Sequence, residues 1–440
     1  MSPMSPMNDG WQARKGKRVA IVAGCRTPFA RAGGLLAMES SLDLARTVIA
    51  ELLHRAELPA REVDRVVLGT VVPNVEAPNL AREAALAAGL PRATDGYTVS
   101  RACASANQAI ASAAEAIVSG EASTVIAGGS ESLSNVPILA SKKLSRALVA
   151  ATKARSWPKR LAAFDGIKVK DLVPVTPAIA ELSTGLTMGA SAENMAQQNG
   201  ISREEQDRFA LRSHKLAAAA TDDGRLGSEM VRYFVKPGYA ASLHEDDGIR
   251  RDTDLASLSA LRPVFDRKYG TLTAGNSSSL TDGAAVLLLM REDKARAEGR
   301  EPLGYIRSYA FVGVDPFDQL LIGPAYSTPI ALDRAGLSLS DLTLVDLHEA
   351  FAAQVLSVLK ALESESFCRE KLHRGPLGKV DDDKLNVMGG SIAVGHPFGA
   401  TGARITLSVV NELRRRGGGF GLVSVCAAGG LGASMIVETE

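Results

Sequence analysis

Cysteine is scarce: four residues in 440, Cys25, Cys103, Cys368 and Cys426. None forms a CxxC pair or a zinc-like spacing, and a chain this long is no disulfide-stapled miniprotein. A reducing compartment is therefore expected, the cytoplasm or, in a eukaryote, the mitochondrion. Aromatic residues make up only 5%. Lys and Arg total 50 against 49 Asp and Glu, a net charge of +1 that leaves no electrostatic footprint for nucleic acid. No apolar run approaches the roughly 18 residues of a membrane span. Residues 1–17 lack the apolar centre of a signal peptide and carry Asp9; they read as a disordered tail, with a transit remnant left open.

What is abundant is glycine, 41 residues, within an apolar fraction of 46%. Small residues with few aromatics suit helices packed tightly on a buried sheet, and this length predicts two or three domains. Ordered patterning begins at RVAIVAGCRTPF (Arg18–Phe29). A helical period follows over Leu42–Ala56, then an apolar strand in DRVVLGTVV, a helix in NLAREAALAAG and a strand in STVIAGGSES. Alternating strands and helices predict an α/β fold with a mostly parallel sheet. The first half divides into 18–136 and 263–300, interrupted by an inserted loop domain at 137–262. Ser141–Lys170 in that insertion carries nine Lys and Arg against one Asp. Thr271–Met290 reads as strand–turn–strand. Residues 301–440 repeat the order of the first half, with a glycine-rich loop and helix, then a closing hairpin in FGLVSVCAAGGLGASMIVE.

Cys103 lies in VSRACASANQAI, at the head of a helix of small residues, as either core filler or nucleophile. A nucleophilic thiol needs a base, and there are six histidines. His54, His214 and His373 sit among charged residues on helical stretches, and His244 sits in a polar loop; all four read as surface. His396 lies in GGSIAVGHPFGATGAR, where glycines let backbone N–H groups line a cavity, or where the loop is a tight turn with an incidental histidine. His348, in VDLHEAFAAQ, follows a buried strand, at the end where α/β sites collect, although a His-Glu pair there equally suits a helix cap. Cys426 follows VSV and precedes AAGGLG, again at a strand end. Alone it reads as filler; the four together make a stronger constellation.

These four junctions resemble the catalytic blocks of the thiolase family, in the same order. CRTPF, MGASAEN and TAGNSSSLTDGAA add three more blocks, and the resemblance spans Arg18 to Val437. It implies duplicated βαβαβαββ halves layered α-β-α-β-α. It also implies an acyltransferase, acetyl-CoA C-acyltransferase, that cleaves 3-ketoacyl-CoA by a retro-Claisen reaction in fatty-acid β-oxidation, with coenzyme A as substrate and no cofactor or metal. In that reaction Cys103 is acylated, favoured as a thiolate by the helix amino end. His396 takes its proton and then faces an oxyanion, Cys426 protonates the enolate and activates CoA, and His348 helps bind the first oxyanion. The backbone N–H groups of Cys103 and Ala428 form a second oxyanion hole. Ser278 and Met188 match residues along the pantetheine tunnel; Arg250 or Arg251 meets the nucleotide end of CoA.

Most thiolases carry Asn where this chain has His348. That departure, with DQLLIGPAYSTPIAL and the basic insertion, resembles the β subunit of the trifunctional β-oxidation complex and its bacterial counterparts. A homodimer is implied, extended to α2β2 with an enoyl-CoA hydratase/3-hydroxyacyl-CoA dehydrogenase subunit, as is contact of 141–170 with that subunit or with an anionic membrane surface. Two other readings stay open: a biosynthetic acetoacetyl-CoA thiolase running the condensation, and a subunit that mainly scaffolds its partner.

Overall fold

The computed structural model describes residues 18–174 and 180–440. The tail reading at 1–17 lies outside the described residues. Nine strands carry the fold: β1 (Val19–Arg26), β2 (Arg65–Gly69), β3 (Asp95–Val99), β4 (Thr124–Glu131), β5 (Thr281–Arg291), β6 (Gly304–Gly313), β7 (Leu342–Leu347), β8 (Gly419–Ala427) and β9 (Leu431–Thr439). They join edge to edge in the order β7-β8-β9-β6-β1-β5-β4-β2-β3, with Ala30–Arg31 adding a short tenth strand on β5.

The duplication is legible in this order. In the first half β1 pairs antiparallel with β5, β5 antiparallel with β4, and β4 parallel with β2, which is parallel to β3. In the second half β6 pairs antiparallel with β9, β9 antiparallel with β8, and β8 parallel with β7. The counterpart of β3 shrinks to a single parallel bridge, Val345 to Leu385. β1 and β6 join the halves antiparallel. The sheet is thus mixed and not mostly parallel, because the last strand of each half returns antiparallel. A strand buried on both faces reads as the same apolar run whichever way it points. The closing hairpin is present as β8–β9. Thr271–Met290 holds one strand; its first ten residues are a loop threaded through the site.

The helices used below are α1 (Ser41–Arg55), α2 (Leu80–Ala87), α3 (Ser105–Ser119), α4 (Lys142–Lys153), α5 (Trp157–Ala162), α6 (Met188–Asn199), α7 (Arg203–Asp222), α8 (Gly323–Ala335), α9 (Ala352–Glu363) and α10 (Thr401–Arg415). Strand alternation sorts the core into layers. On β4 and β5, Val125, Ala127, Leu287 and Leu289 pack with α3 and α10 in the middle of the molecule. Their neighbours Ile126, Val286 and Leu288 face α1 and α2. In the second half Val423, Val425 and Met435 face the same central helices, while Leu422 and Ile436 face α8 and α9. The result is an α-β-α-β-α stack with α3 and α10 as its central layer. Their closeness explains the small residues: a Cβ at Gly402 would lie 2.1 Å from Asn107 Oδ1 on α3.

Candidate active site

The two central helices begin side by side, and each carries one candidate residue just before its first turn. Cys103 precedes α3, whose cap is Ala104, on a turn where Ala102 takes φ 44°. That left-handed conformation is unfavourable for alanine. Ser105 supports it, its Oγ accepting from the Arg101 N–H at 2.8 Å and donating to the Ala102 carbonyl at 2.6 Å. His396 precedes α10. Its loop turns at Gly395, φ 102°, and then passes so close to β4 that a Cβ at Gly129 would stand 1.9 Å from the Gly399 carbonyl.

His348 leaves the end of β7, its N–H donating to the Ser424 carbonyl of β8 at 2.8 Å. The Thr271–Leu280 loop threads between these pieces: the Ser278 N–H donates to the Ala350 carbonyl and the His396 N–H to the Ser279 carbonyl. Ser278 therefore lies beside both histidine segments. Met188 opens α6 and packs against the core under α8 and α9. Arg251 pairs at the surface with Asp222 and Glu245, each at 2.9 Å, and the Arg250 N–H donates to His214 Nδ1 at 3.3 Å.

Cys103 Sγ and one ring nitrogen from each of His348 and His396 all lie within 4.8 Å of one another. The two imidazoles stand 4.1 Å apart, centroid to centroid, at 47°. Both histidines are buried, and both Nε2 atoms are buried without a hydrogen-bond partner. Their Nδ1 atoms are engaged: His396 with Thr401 Oγ1 at 2.7 Å, His348 with Ser391 Oγ at 3.0 Å. Burial holds His396 down at about 3, the nearby Arg404 charge adding to it, and burial, with His396 and Arg404, depresses His348 well below its ordinary range. Both rings are neutral at ordinary pH.

Burial also pushes the Cys103 thiol up to about 12, opposed only in part by the N–H groups of Ala428 and of Cys103 itself, which face the sulfur. The helix start, expected to favour a thiolate, does not prevail over desolvation. Cys426, at the end of β8, is buried, and its thiol is raised by burial and then by the neighbouring Cys103 sulfur. The unliganded site is therefore thiol and imidazole, not an ion pair.

Several supporting groups escaped the sequence reading. Glu131, at the end of β4, accepts from the N–H groups of Val71, Val72 and Gly399 and from Thr70 Oγ1, clamping the His396 loop to the first half. Glu349 accepts from Ser213 Oγ at 2.6 Å, Asn386 Nδ2 at 2.7 Å and the Ile392 N–H at 3.2 Å. It ties the His348 turn to the short helix Ser391–Val394 before His396 and does not cap α9, whose cap residue Phe351 has no side-chain hydrogen bond. Runs such as GGSES and HEAF held these residues, but nothing local distinguishes a clamp from a surface carboxylate.

His54, His244 and His373 are exposed as expected. His214 is not: it is buried on the inner face of α7 and depressed to about 4 by burial. The charged neighbours that suggested a surface position lie on the other side of the same helix.

Residues 19–293 match the thiolase N-terminal domain and residues 300–439 the thiolase C-terminal domain. The chain belongs to the thiolase family. It is 54% identical over 428 residues to a 3-ketoacyl-CoA thiolase of Escherichia coli and to one of Cronobacter sakazakii, covering 97% of this chain and 98% of each relative. Among solved structures it resembles human mitochondrial 3-ketoacyl-CoA thiolase (TM-score 0.82, 34% identity, 96% of this chain and 99% of that one). It also resembles Bacillus anthracis acetyl-CoA acetyltransferase (TM-score 0.82, 36% identity, 96% and 98%).

Proposed function

We propose that this chain is a 3-ketoacyl-CoA thiolase whose reacting groups are Cys103, His348, His396 and Cys426. The supporting observation is the cluster in which the half-buried Cys103 sulfur and one ring nitrogen from each of two buried histidines lie within 4.8 Å of one another. His396 Nε2 takes the proton of the Cys103 thiol as the sulfur attacks the 3-keto carbon. The resulting oxyanion is held by the N–H groups of Cys103 and Ala428. The C2–C3 bond breaks, the electron pair leaves as the acetyl-CoA enolate, and Cys426 supplies its proton while the enolate oxygen lies against His348. The Cys426 thiolate then takes the thiol proton of incoming CoA, whose sulfur attacks the acyl-enzyme and releases shortened acyl-CoA; Cys103 leaves as a thiolate and recovers its proton from His396. CoA serves as substrate, and the residues present require no other cofactor.

The purified chain is expected to release acetyl-CoA from 3-ketoacyl-CoA and CoA. The assay should be run on short, medium and long acyl chains, since the same geometry serves cleavage and condensation. No thiolysis at any length, alone or with an added hydratase/dehydrogenase subunit, would overturn the reading. Met188, Ser278, Arg250 and Arg251 are assigned to the CoA-binding surface.

The partner reading rests on α4 and α5. Leu148, Val149, Trp157 and Leu161 are exposed there among Lys142, Lys143, Lys153 and Arg155. No described helix is long and apolar enough to cross a membrane. An exposed apolar patch rimmed by cations suits a partner subunit or an anionic lipid surface. Reversing those four charges is expected to weaken binding to the hydratase/dehydrogenase subunit or to anionic vesicles at least about tenfold, at roughly 1 kcal/mol per charge near a lipid surface. Unchanged binding to both would remove this face from consideration.

A further inference from the structure

We propose that Ser391, backed by Arg404, is a positioning residue that fixes His348 as the Nε2–H tautomer, while Thr401 fixes His396 as the opposite one, so that two adjacent neutral imidazoles serve as one donor and one acceptor. The proposal rests on the reading of the site above and assigns the two rings their division of labour.

The assignment follows from where each hydroxyl hydrogen goes. Thr401 Oγ1 donates to the Pro397 carbonyl at 3.1 Å, so toward His396 Nδ1, at 2.7 Å, it acts as acceptor. His396 Nδ1 therefore carries the hydrogen, and Nε2 presents a lone pair to the Cys103 thiol. Ser391 faces the reverse demand. Its Oγ accepts from Arg404 Nη2 at 3.0 Å, and its only other partner among the described residues is His348 Nδ1, also at 3.0 Å. Its hydrogen goes to that nitrogen, which places the imidazole hydrogen on Nε2, aimed at the substrate. The guanidinium polarises the serine O–H, giving a relay from Arg404 through Ser391 and His348 to an oxygen that gains charge.

The arrangement also explains how a histidine serves at this position. An asparagine amide has fixed donors and needs no tautomer. An imidazole donates there only if its other nitrogen is given a hydrogen bond, which Ser391 supplies. Ser391 opens the short helix Ser391–Val394 that leads to His396, within GGSIAVGHP, so one segment supports both rings.

Two measurements test this. In [15N]histidine-labelled enzyme without substrate, nitrogen NMR should show His348 protonated at Nε2 and His396 at Nδ1, assigned with His348→Asn and His396→Asn variants. Separately, Ser391→Ala should lower kcat about 10- to 100-fold with KM little changed, the scale of weakening one oxyanion donor. In a His348→Asn background the same substitution should cost less than about twofold, because no tautomer remains to be set. His348 protonated at Nδ1 in the wild type, or an equal loss from Ser391→Ala in both backgrounds, would overturn the proposal. If Ser391→Ala fails to fold, the wild-type spectrum still decides it. Absence of thiolysis would sink the functional reading and leave the tautomer measurement standing.

Discussion

Replacing Cys103 with alanine is expected to abolish thiolysis, lowering kcat by at least about 10⁴-fold while leaving the fold intact. Alanine fills the position without strain because Ala102, Ala104 and Ala106 already line the turn, and the hydroxyl of Ser105 that braces it is untouched. Only the sulfur is lost, and with it the atom that both forms and breaks the acyl bond. Incubation of wild-type enzyme with acyl-CoA followed by peptide mass analysis should place the acyl group on Cys103. Cys25 and Cys368 should stay unmodified. Cys25 is buried and donates to the Val48 carbonyl at 3.3 Å; Cys368 is buried against the Ala361 carbonyl at 3.5 Å. A Cys103→Ser variant covers the case in which alanine is poorly tolerated. Acylation at Cys426 instead, or Cys103→Ala enzyme within tenfold of wild type, would reassign the nucleophile.

How far the sequence carries such expectations differs between residues. The four candidate positions were readable because each sits where an apolar strand or glycine loop meets a helix, and because four such junctions recur in the order of the family's blocks. The layering was legible only through the family resemblance, because β4 and β5 are buried on both faces and show no polar alternation. Strand direction was not: a run such as AAVLLLM has no polar face to show which neighbour it pairs with. Nor was the fate of His214 legible, since the inner face of α7 is itself polar, with Gln206, Asp207, Ser213 and His214 all buried. The protonation states of the site were least legible of all. A helix amino end lowers a thiol, and burial raises it. Only the packed structure shows that burial prevails at Cys103 and that the hydroxyls of Ser391 and Thr401, 43 and 5 residues from their histidines, meet the two Nδ1 atoms.

The same limit applies to the largest stability effect expected. Arg26, in the strand-end motif CRTPF, reads from sequence as one more basic residue. In the structure it is fully buried. Its guanidinium meets Asp246 with Nη1 at 2.7 Å and Nη2 at 2.9 Å, and Nε lies 3.5 Å from Glu229. Those carboxylates reach further: Asp246 Oδ1 also accepts from the Phe29 N–H at 2.8 Å, and Glu229 from Ser408 Oγ on α10 at 2.8 Å. One cation thus fastens the end of β1 to the segment before β5 and to the helix that carries Thr401 and Arg404. Arg26→Met keeps the volume but strands two carboxylates in the interior, a loss of roughly 3–5 kcal/mol. Burial already raises Glu229 against the pull of Arg26, so without the cation this acid should resist ionisation further. The folded-state affinity of Glu229 for a proton then exceeds the unfolded one by more, which makes the penalty greatest at neutral and higher pH and smaller as pH falls toward the ordinary carboxylate range. Thermal midpoints of wild type and Arg26→Met should therefore converge on acidification from pH 8 to pH 5. Parallel pH curves would mean that the loss comes from packing and that Glu229 is not a group Arg26 holds in its charged form.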